Sequence, residues 1–313
     1  MKSLKERYRE GQRYIIPTSD WGFKRLFGTE MNKNLLIGFL NRVIDDRTIE
    51  TVEYLNTEPL LPFGKALEMR FDVYCKCTDG SRVIVEMQNY VRPAFVNRVQ
   101  IYASAAVLER YANERNGDDR ITKTYCIAIT GEKVFPEIKH APVRLAMCDI
   151  DAGTTHILND QILQIFIELP KFADTVRMLE ENADFLDKFA VVMKTLEQYK
   201  EPPTELQDDL LDDLFDAADT KHYDSADKDN YKAQLMNQFE YEATLRDYKE
   251  EGRTEGRAEG RAEGRAEGRA EGLAEGLVKG RDEASAEIAR AMKTEGVPDK
   301  IILKTTGVDP ATL

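Results

Sequence analysis

Residues 70–88, RFDVYCKCTDGSRVIVEMQ, decide the fold of this chain. Outside the central turn, the odd-numbered positions are apolar and the even-numbered ones are mostly polar, which is the alternation of two half-buried strands. Residues 78–80 (Thr-Asp-Gly) fit a three-residue turn closed by a glycine in the left-handed conformation. A turn of this length keeps both apolar sets on one face of a hairpin. The predicted register pairs Lys76 with Arg82, Tyr74 with Ile84, Val73 with Val85 and Asp72 with Glu86.

This register places two carboxylates side by side. Like charges directly opposed on a sheet cost a few tenths to about 1 kcal/mol. A hard divalent cation such as Mg²⁺ would offset the repulsion between Asp72 and Glu86, because it takes oxygen ligands from one or two carboxylates and keeps several waters. The simpler alternative is an amphipathic hairpin whose solvent face carries an acid on each strand. A two-residue turn would place Met87 opposite Asp72 instead, and the apolar register argues against it.

The segments around the hairpin predict an α/β fold. Apolar residues at helical spacing indicate helices over 32–44 and 95–111, and strand patterns cover 49–55 and 124–130. Further strands are expected over 144–150 and near 156–158. The order helix, three strands, helix, strand resembles the core of restriction-endonuclease-like folds, a mixed sheet with a helix on each side.

Several ordered blocks in about the first 175 residues carry a more specific resemblance. They are PTSDWGFKRLFG at 17–28, VEMQ at 85–88, Arg98 followed four residues later by Tyr102, and ELPKF at 168–172. Together they resemble the Rpn family of recombination-promoting nucleases, also described as PD-(D/E)XK nuclease family transposases. The resemblance implies a metal-dependent DNA endonuclease with a restriction-endonuclease-like (PD-(D/E)XK) mixed-sheet core, linked to recombination or mobile DNA.

The resemblance also implies which residues form the site. Asp72 and Glu86 would bind Mg²⁺ or Mn²⁺, and Gln88 would complete the catalytic set by orienting the attacking water. Arg98 and Tyr102 share one face of the predicted helix and would grip a DNA phosphate. For Tyr102, the alternative is an ordinary core aromatic.

The sequence departs from the nuclease signature at Gln88, where the signature has a lysine. Glutamine can orient a water molecule or a phosphate oxygen, but it carries no positive charge. The positive charge that is missing at Gln88 is expected from Lys24, on the preceding helix, or from Lys65, ahead of the strand that carries Asp72. Asp20 opens the helix of Lys24, so helix N-capping is its expected role, with a supporting contact to the metal as the alternative.

The net charge of −13 is unevenly distributed along the 313 residues. Residues 1–170 carry 23 basic and 23 acidic side chains, whereas residues 171–250 carry 10 and 21. The nuclease-like part is therefore neutral, and contacts to DNA phosphates would need local basic clusters. The candidates are Lys2, Lys5, Arg7, Arg9 and Arg13 near the start, and Arg92, Arg98, Arg110 and Arg115 near the helix after the hairpin.

Nothing in the sequence indicates a membrane span or a targeting segment. The N-terminus is charged, and no window approaches 18 uninterrupted apolar residues. We therefore expect a cytoplasmic protein without a membrane partner. The four cysteines are expected to be buried reduced thiols. The three histidines are too widely spread for a zinc site.

The length suggests about two domains, and composition divides the chain further. We expect a PD-(D/E)XK nuclease-like core over 1–170, an acidic helical region over 171–250, a repeat arm over 251–280 and a small helical tail over 281–313. In the acidic region, apolar residues from Phe172 to Leu179 and from Phe185 to Leu196 are at helical spacing.

The arm repeats Glu-Gly-Arg-Ala with a period of four. Its eight glycines each cost about 0.8–1 kcal/mol relative to alanine in a helix. Its charges recur four residues apart as like pairs, so salt bridges within one helix do not stabilise it. A helical or partly disordered arm is expected, with homo-oligomerisation through the repeat arm or the C-terminal tail as the second interpretation.

Two other functions fit parts of the sequence. Gln88 in place of lysine suits a catalytically degenerate nuclease fold that binds DNA without cutting it. The acidic region and the repeat arm suit an oligomerising interaction protein.

Overall fold

The computed structural model describes residues 1–58, 70–113, 123–149 and 157–313. Two of the candidate residues, Lys65 and Arg115, lie outside these residues. The described residues form two compact units, Met1–Ala243 and Thr244–Leu313. The predicted divisions at residues 170, 250 and 280 stay predictions.

The first unit is built on a six-stranded mixed sheet in the order β1-β2-β3-β4-β6-β5. The strands are β1 (Val52–Tyr54), β2 (Val73–Cys77), β3 (Arg82–Gln88), β4 (Thr124–Thr130), β5 (Val143–Cys148) and β6 (Ile157–Glu168). β1, β2 and β3 are antiparallel neighbours, and β5 is antiparallel to β6. The pairs β3–β4 and β4–β6 are parallel.

Helices cover both faces of this sheet. They are α1 (Leu4–Arg7), α2 (Asp20–Phe27), α3 (Lys33–Val43), α4 (Phe95–Asn113), α5 (Phe185–Thr195), α6 (Asp209–Ala218) and α7 (Ser225–Thr294), of which α7 continues into the second unit. Buried residues of α2, α3, α5 and α6 join one core cluster with Val73 and Val85, while those of α4 join the other with Tyr74 and Ile84. The predicted α/β fold with a mixed sheet is confirmed.

The hairpin has the predicted register. Val73 pairs with Val85, and Tyr74 pairs with Ile84. The amide N–H of Gly80 donates to the carbonyl of Cys77 at 2.9 Å, and Gly80 has φ of 82°, a left-handed conformation that favours glycine. The three-residue turn is thus confirmed together with the pairing that depends on it.

The prediction of half-buried strands is wrong, because the face with even-numbered residues is also covered. Tyr74 and Ile84 are fully buried on that face, where α4 crosses from β3 to the parallel strand β4. Crossover helices of this kind bury the second face of a sheet. Phe71 also lies on this side, with its ring centroid 5.1 Å from that of Tyr74, since the chain bends at Asp72 before β2 begins.

Most predicted elements match observed ones, but one predicted helix and the predicted burial of one cysteine need correction. The predicted helix through Phe172–Leu179 is wrong: two short 3₁₀ turns, Leu169–Lys171 and Val176–Met178, lie in this part of the chain. The Lys194 ammonium donates to the carbonyls of Leu169 and Phe172 at 3.1 and 3.0 Å, so these carbonyls have partners without a continuous helix. Cys148 is exposed at the end of the edge strand β5, whereas the other three cysteines are buried as expected.

The second unit contains the repeat and the tail. The repeat lies within α7, and α8 (Asp299–Thr306) follows Gly296, which has φ of 79°. Ala289 and Ile302 are fully buried, and the Lys293 ammonium donates to the Pro310 carbonyl at 2.6 Å. Across the described parts of the whole chain, no helix is long and apolar enough to cross a membrane.

Candidate active site

The acid pair lies where the hairpin ladder opens, one position beyond the Val73–Val85 pair. The Met87 amide N–H donates to Asp72 Oδ2 at 2.9 Å. In return, the Asp72 amide N–H donates to Glu86 Oε1 at 3.1 Å. Each carboxylate therefore accepts a backbone N–H from the other side of the hairpin, and the two acids lie next to each other as predicted.

Burial makes this pair costly to ionise. Glu86 is only 5% exposed, and burial, together with the nearby Asp72 carboxylate, raises its pKa well above the ordinary value. Burial also raises the pKa of Asp72, against the opposing effect of the Lys24 ammonium. Two closely placed acids with raised pKa values are typical of functional sites.

Lys24 supplies a positive charge at the acid pair. Its ammonium lies 3.4 Å from Asp72 Oδ1 and 2.7 Å from Asp20 Oδ1. Burial disfavours the charge, but these two carboxylates outweigh it and raise the pKa of Lys24. The structure therefore brings Lys24 to the site, while the other candidate, Lys65, lies outside the described residues.

The expected N-capping role of Asp20 is wrong. Ser19 is the N-cap of α2, since its Oγ accepts the Gly22 amide N–H at 3.1 Å. Asp20 occupies the first helical position, where its own amide N–H donates to Gln238 Oε1 at 2.9 Å. Its side chain is free to hold the Lys24 ammonium across one helical turn.

Gln88 and Arg98 meet at the end of β3. The Arg98 guanidinium donates to Gln88 Oε1, and Gln88 Nε2 donates to the Tyr90 carbonyl at 2.8 Å. The guanidinium carbon lies 5.1 Å from the ring centroid of Phe95 and 5.8 Å from that of Tyr102. Residues of α4 thus fix the guanidinium above the same face of β3 that carries Glu86.

Tyr102 packs as a core aromatic beside the site. Its ring meets that of Phe71 edge-on at a centroid distance of 4.9 Å. Burial raises its pKa, and the Glu86 carboxylate adds to this effect. The ring therefore supports Arg98 and the acid pair from the core, and its role in phosphate binding stays a prediction.

Arg7 is not available for the predicted DNA contact. Its guanidinium forms two hydrogen bonds to the Glu197 carboxylate, at 2.9 and 2.7 Å, and one to Thr18 Oγ1 at 2.7 Å. The side chains of Arg7 and Glu197 are 1% and 0% exposed. A buried arginine with this set of partners stabilises the fold and does not reach a phosphate.

The ELPKF block begins with a buried carboxylate. Glu168, at the end of β6, accepts the amide N–H groups of Val134 and Phe135 at 2.6 and 2.9 Å. It also forms an ion pair with Lys171. These contacts hold the segment that follows β4, so this block has a structural role.

Sequence reasoning missed three residues of α7 that contact the site's surroundings. Gln238 accepts the Asp20 amide N–H, and the Tyr241 hydroxyl accepts from Arg92. Glu242 Oε1 lies 3.4 Å from Asn89 Nδ2, next to Gln88. Because these partners are far apart in the chain, no local pattern could have identified them.

The donor set fits a hard divalent cation. Asp72 and Glu86 offer carboxylate oxygens, which suit Mg²⁺ and Mn²⁺. Among the described residues there is no group of three or more His, Cys, Asp or Glu side chains that could hold a metal. A site with two carboxylates is nevertheless typical of Mg²⁺, which keeps several of its waters.

The mixed sheet with helices on both faces fits an α/β fold of the PD-(D/E)XK nuclease class. A family model described as PD-(D/E)XK nuclease family transposase matches residues 17–247. The chain belongs to this family, which supports a nuclease-type function and confirms the resemblance noted in the sequence. Searches among curated proteins and among solved structures gave no match.

Proposed function

We propose that this protein is a metal-dependent DNA endonuclease that hydrolyses phosphodiester bonds. The observation that carries the proposal is the acid pair, Asp72 and Glu86, set between the cations of Lys24 and Arg98 in a chain of a nuclease family. The family description also favours a role in the movement or recombination of DNA.

Asp72 and Glu86 are the residues that would hold Mg²⁺ or Mn²⁺. When bound, the metal supplies a Lewis acid that polarises the scissile phosphate and lowers the pKa of a bound water. Burial raises the pKa of both carboxyl groups, and the Asp72 carboxylate adds to the effect on Glu86. A divalent cation would offset this cost of ionising them, which supports the assignment.

The two cations have distinct roles in the proposal. Lys24 and Arg98 would stabilise the negative charge that develops on the phosphate when a water oxygen bonds to phosphorus and the sugar oxygen leaves. Asp20 holds the Lys24 ammonium by the ion pair across one helical turn. Tyr102 holds the Arg98 guanidinium through its ring face.

Nicking of supercoiled plasmid by the full chain tests this function. Cleavage should require Mg²⁺ or Mn²⁺, stop in EDTA and fall at least about 100-fold in Asp72→Asn and Glu86→Gln. Glu53→Gln, a change at an exposed acid on the neighbouring strand β1, is the matched control and should cut like the wild type. Cleavage that persists in EDTA or in both site variants would contradict the proposal.

A second candidate is a nuclease fold that binds DNA without cutting it, and the neutral Gln88 in the signature position favours it. In that case Mg²⁺ and Mn²⁺ leave plasmid intact, while DNA binding remains and weakens steeply with salt. Loss of DNA binding at every salt concentration, with a stable oligomer in solution, would instead indicate the interaction protein.

A further inference from the structure

We infer that Arg98 supplies the positive charge that a lysine supplies in the nuclease signature, and that Gln88 is the positioning residue that holds it in place. This inference rests on the proposed function, because it assigns a cation to the same site. It replaces the expected role of Gln88 as the residue that orients the attacking water.

The contacts of Gln88 support a positioning role. Its carboxamide is engaged at both ends, since Oε1 accepts from Arg98 and Nε2 donates to the Tyr90 carbonyl at 2.8 Å. These two contacts fix which end of the amide faces the guanidinium. The amide oxygen of Gln88 carries only a partial negative charge. It therefore orients the Arg98 guanidinium without neutralising its positive charge.

Arg98 is held from its other side by two aromatic rings. Its guanidinium carbon lies 5.1 Å from the centroid of Phe95 and 5.8 Å from that of Tyr102, within the range of cation–π attraction. Its Nε is buried and, among the described residues, has no hydrogen-bond partner. The guanidinium as a whole is half-buried, so part of it stays open to solvent.

Arg98 contacts the side chain at position 88, where the signature has its lysine. Glu86 and Gln88 are two residues apart on β3, so their side chains share a face, and α4 places Arg98 over that face. Lys24, by contrast, is already paired with two carboxylates.

A charge-exchange experiment tests the inference. Arg98→Met removes the cation, and plasmid cleavage should fall about 100-fold. The double variant Gln88→Lys with Arg98→Met returns a cation at position 88, and cleavage should recover to within about tenfold of wild type. The control is Arg92→Met with and without Gln88→Lys. Arg92 is an exposed arginine just ahead of α4, and any loss there should not be restored.

DNA binding in EDTA is measured on the same variants, so that this inference and the proposed function can fail separately. Arg98→Met should reduce the slope of log K against log salt by about one, and the double variant should restore it.

If the wild type binds DNA without cutting and shows this exchange, the proposed function fails and the inference holds. If the wild type cuts but the double variant stays as weak as Arg98→Met, the inference is overturned. Absence of both cutting and binding in the wild type overturns both.

Discussion

Glycines in the two units of this protein differ in how closely other atoms pack around them. In the first unit, a Cβ at Gly22 would lie 2.3 Å from the Ile16 carbonyl oxygen, so the packing of α2 requires glycine. In the second unit, a Cβ at Gly260, as at the other repeat glycines, meets nothing within 4 Å. Packing therefore requires glycine at position 22 of the first unit. In the second unit, no contact explains why glycine recurs at every fourth position of the repeat.

One ion pair from each unit shows a similar contrast, in this case in solvent exposure. Arg7 and Glu197 in the first unit are almost fully buried, whereas Arg253 and Glu250 in the second unit are 56% and 64% exposed at a distance of 2.8 Å. Buried charges are costly unless they are paired, and exposed pairs contribute little. The Arg7–Glu197 pair is therefore structural, whereas the Arg253–Glu250 pair is largely solvated.

The largest expected effect is the loss of the buried ion pair. Arg7→Met leaves the Glu197 carboxylate buried without its main partner, so the free energy of unfolding should fall by about 3–5 kcal/mol. Arg253→Met, the exposed counterpart, should change it by less than about 1 kcal/mol. Urea unfolding of both variants measures the two changes in the free energy of unfolding. Equal losses would show that the buried pair is no more important for stability than the exposed one.

The glycine contrast predicts effects of opposite sign. Gly22→Ala should destabilise the first unit by about 1–3 kcal/mol, because the backbone carbonyl of Ile16 cannot move aside cheaply. Gly260→Ala should stabilise the helix of the repeat by about 0.8–1 kcal/mol. Urea unfolding reports the first change, and thermal melting of the far-ultraviolet circular dichroism reports the second. A stabilising Gly22→Ala would show that the close approach at α2 is not required.

The acid pair predicts a slope of stability against pH. Raised pKa values mean that the folded protein binds protons that the unfolded chain releases, so stability in EDTA should fall as pH rises above the ordinary values of 3.8 for aspartate and 4.5 for glutamate. Glu86→Gln keeps an acceptor for the Asp72 amide and removes the charge. The variant should therefore be more stable than wild type above this range and similar below it.

Urea unfolding at a series of pH values measures this slope. Glu53→Gln, at an exposed acid, should leave it unchanged. A Glu86→Gln variant with the wild-type slope would mean that the Glu86 carboxyl titrates normally.

The hairpin and its acid pair could be predicted from the sequence because their determinants are local. The alternation of β2 and β3 and the left-handed Gly80 fix the register, which places Asp72 beside Glu86. The alternation in the hairpin wrongly predicted one exposed face, whereas the resemblance to a mixed sheet with a helix on each side implied that both faces are covered. The even-numbered face is buried because α4 packs against it. Serine and aspartate are both favoured N-cap residues, and only the folded structure shows that Ser19, rather than Asp20, caps α2.

The rest of the site depends on long-range contacts. Arg98 and Gln88 meet only because the chain between β3 and α4 turns back on itself, so the resemblance could indicate both residues but not their contact. Gln238 and Asp20 are 218 residues apart, and Glu197 and Arg7 are 190 apart. No periodicity or motif links such partners, and only the folded structure brings them together.

The most direct test of the central claim, that Asp72 and Glu86 form one divalent-cation site, is calorimetric titration of the full chain with Mn²⁺. The account predicts one site in the wild type, with proton release on binding because carboxylates with raised pKa values must deprotonate to bind the metal. Asp72→Asn and Glu86→Gln should each abolish this site, while Glu259→Gln, a change in the exposed repeat, should leave it intact. Unchanged Mn²⁺ binding in the two site variants would contradict the account.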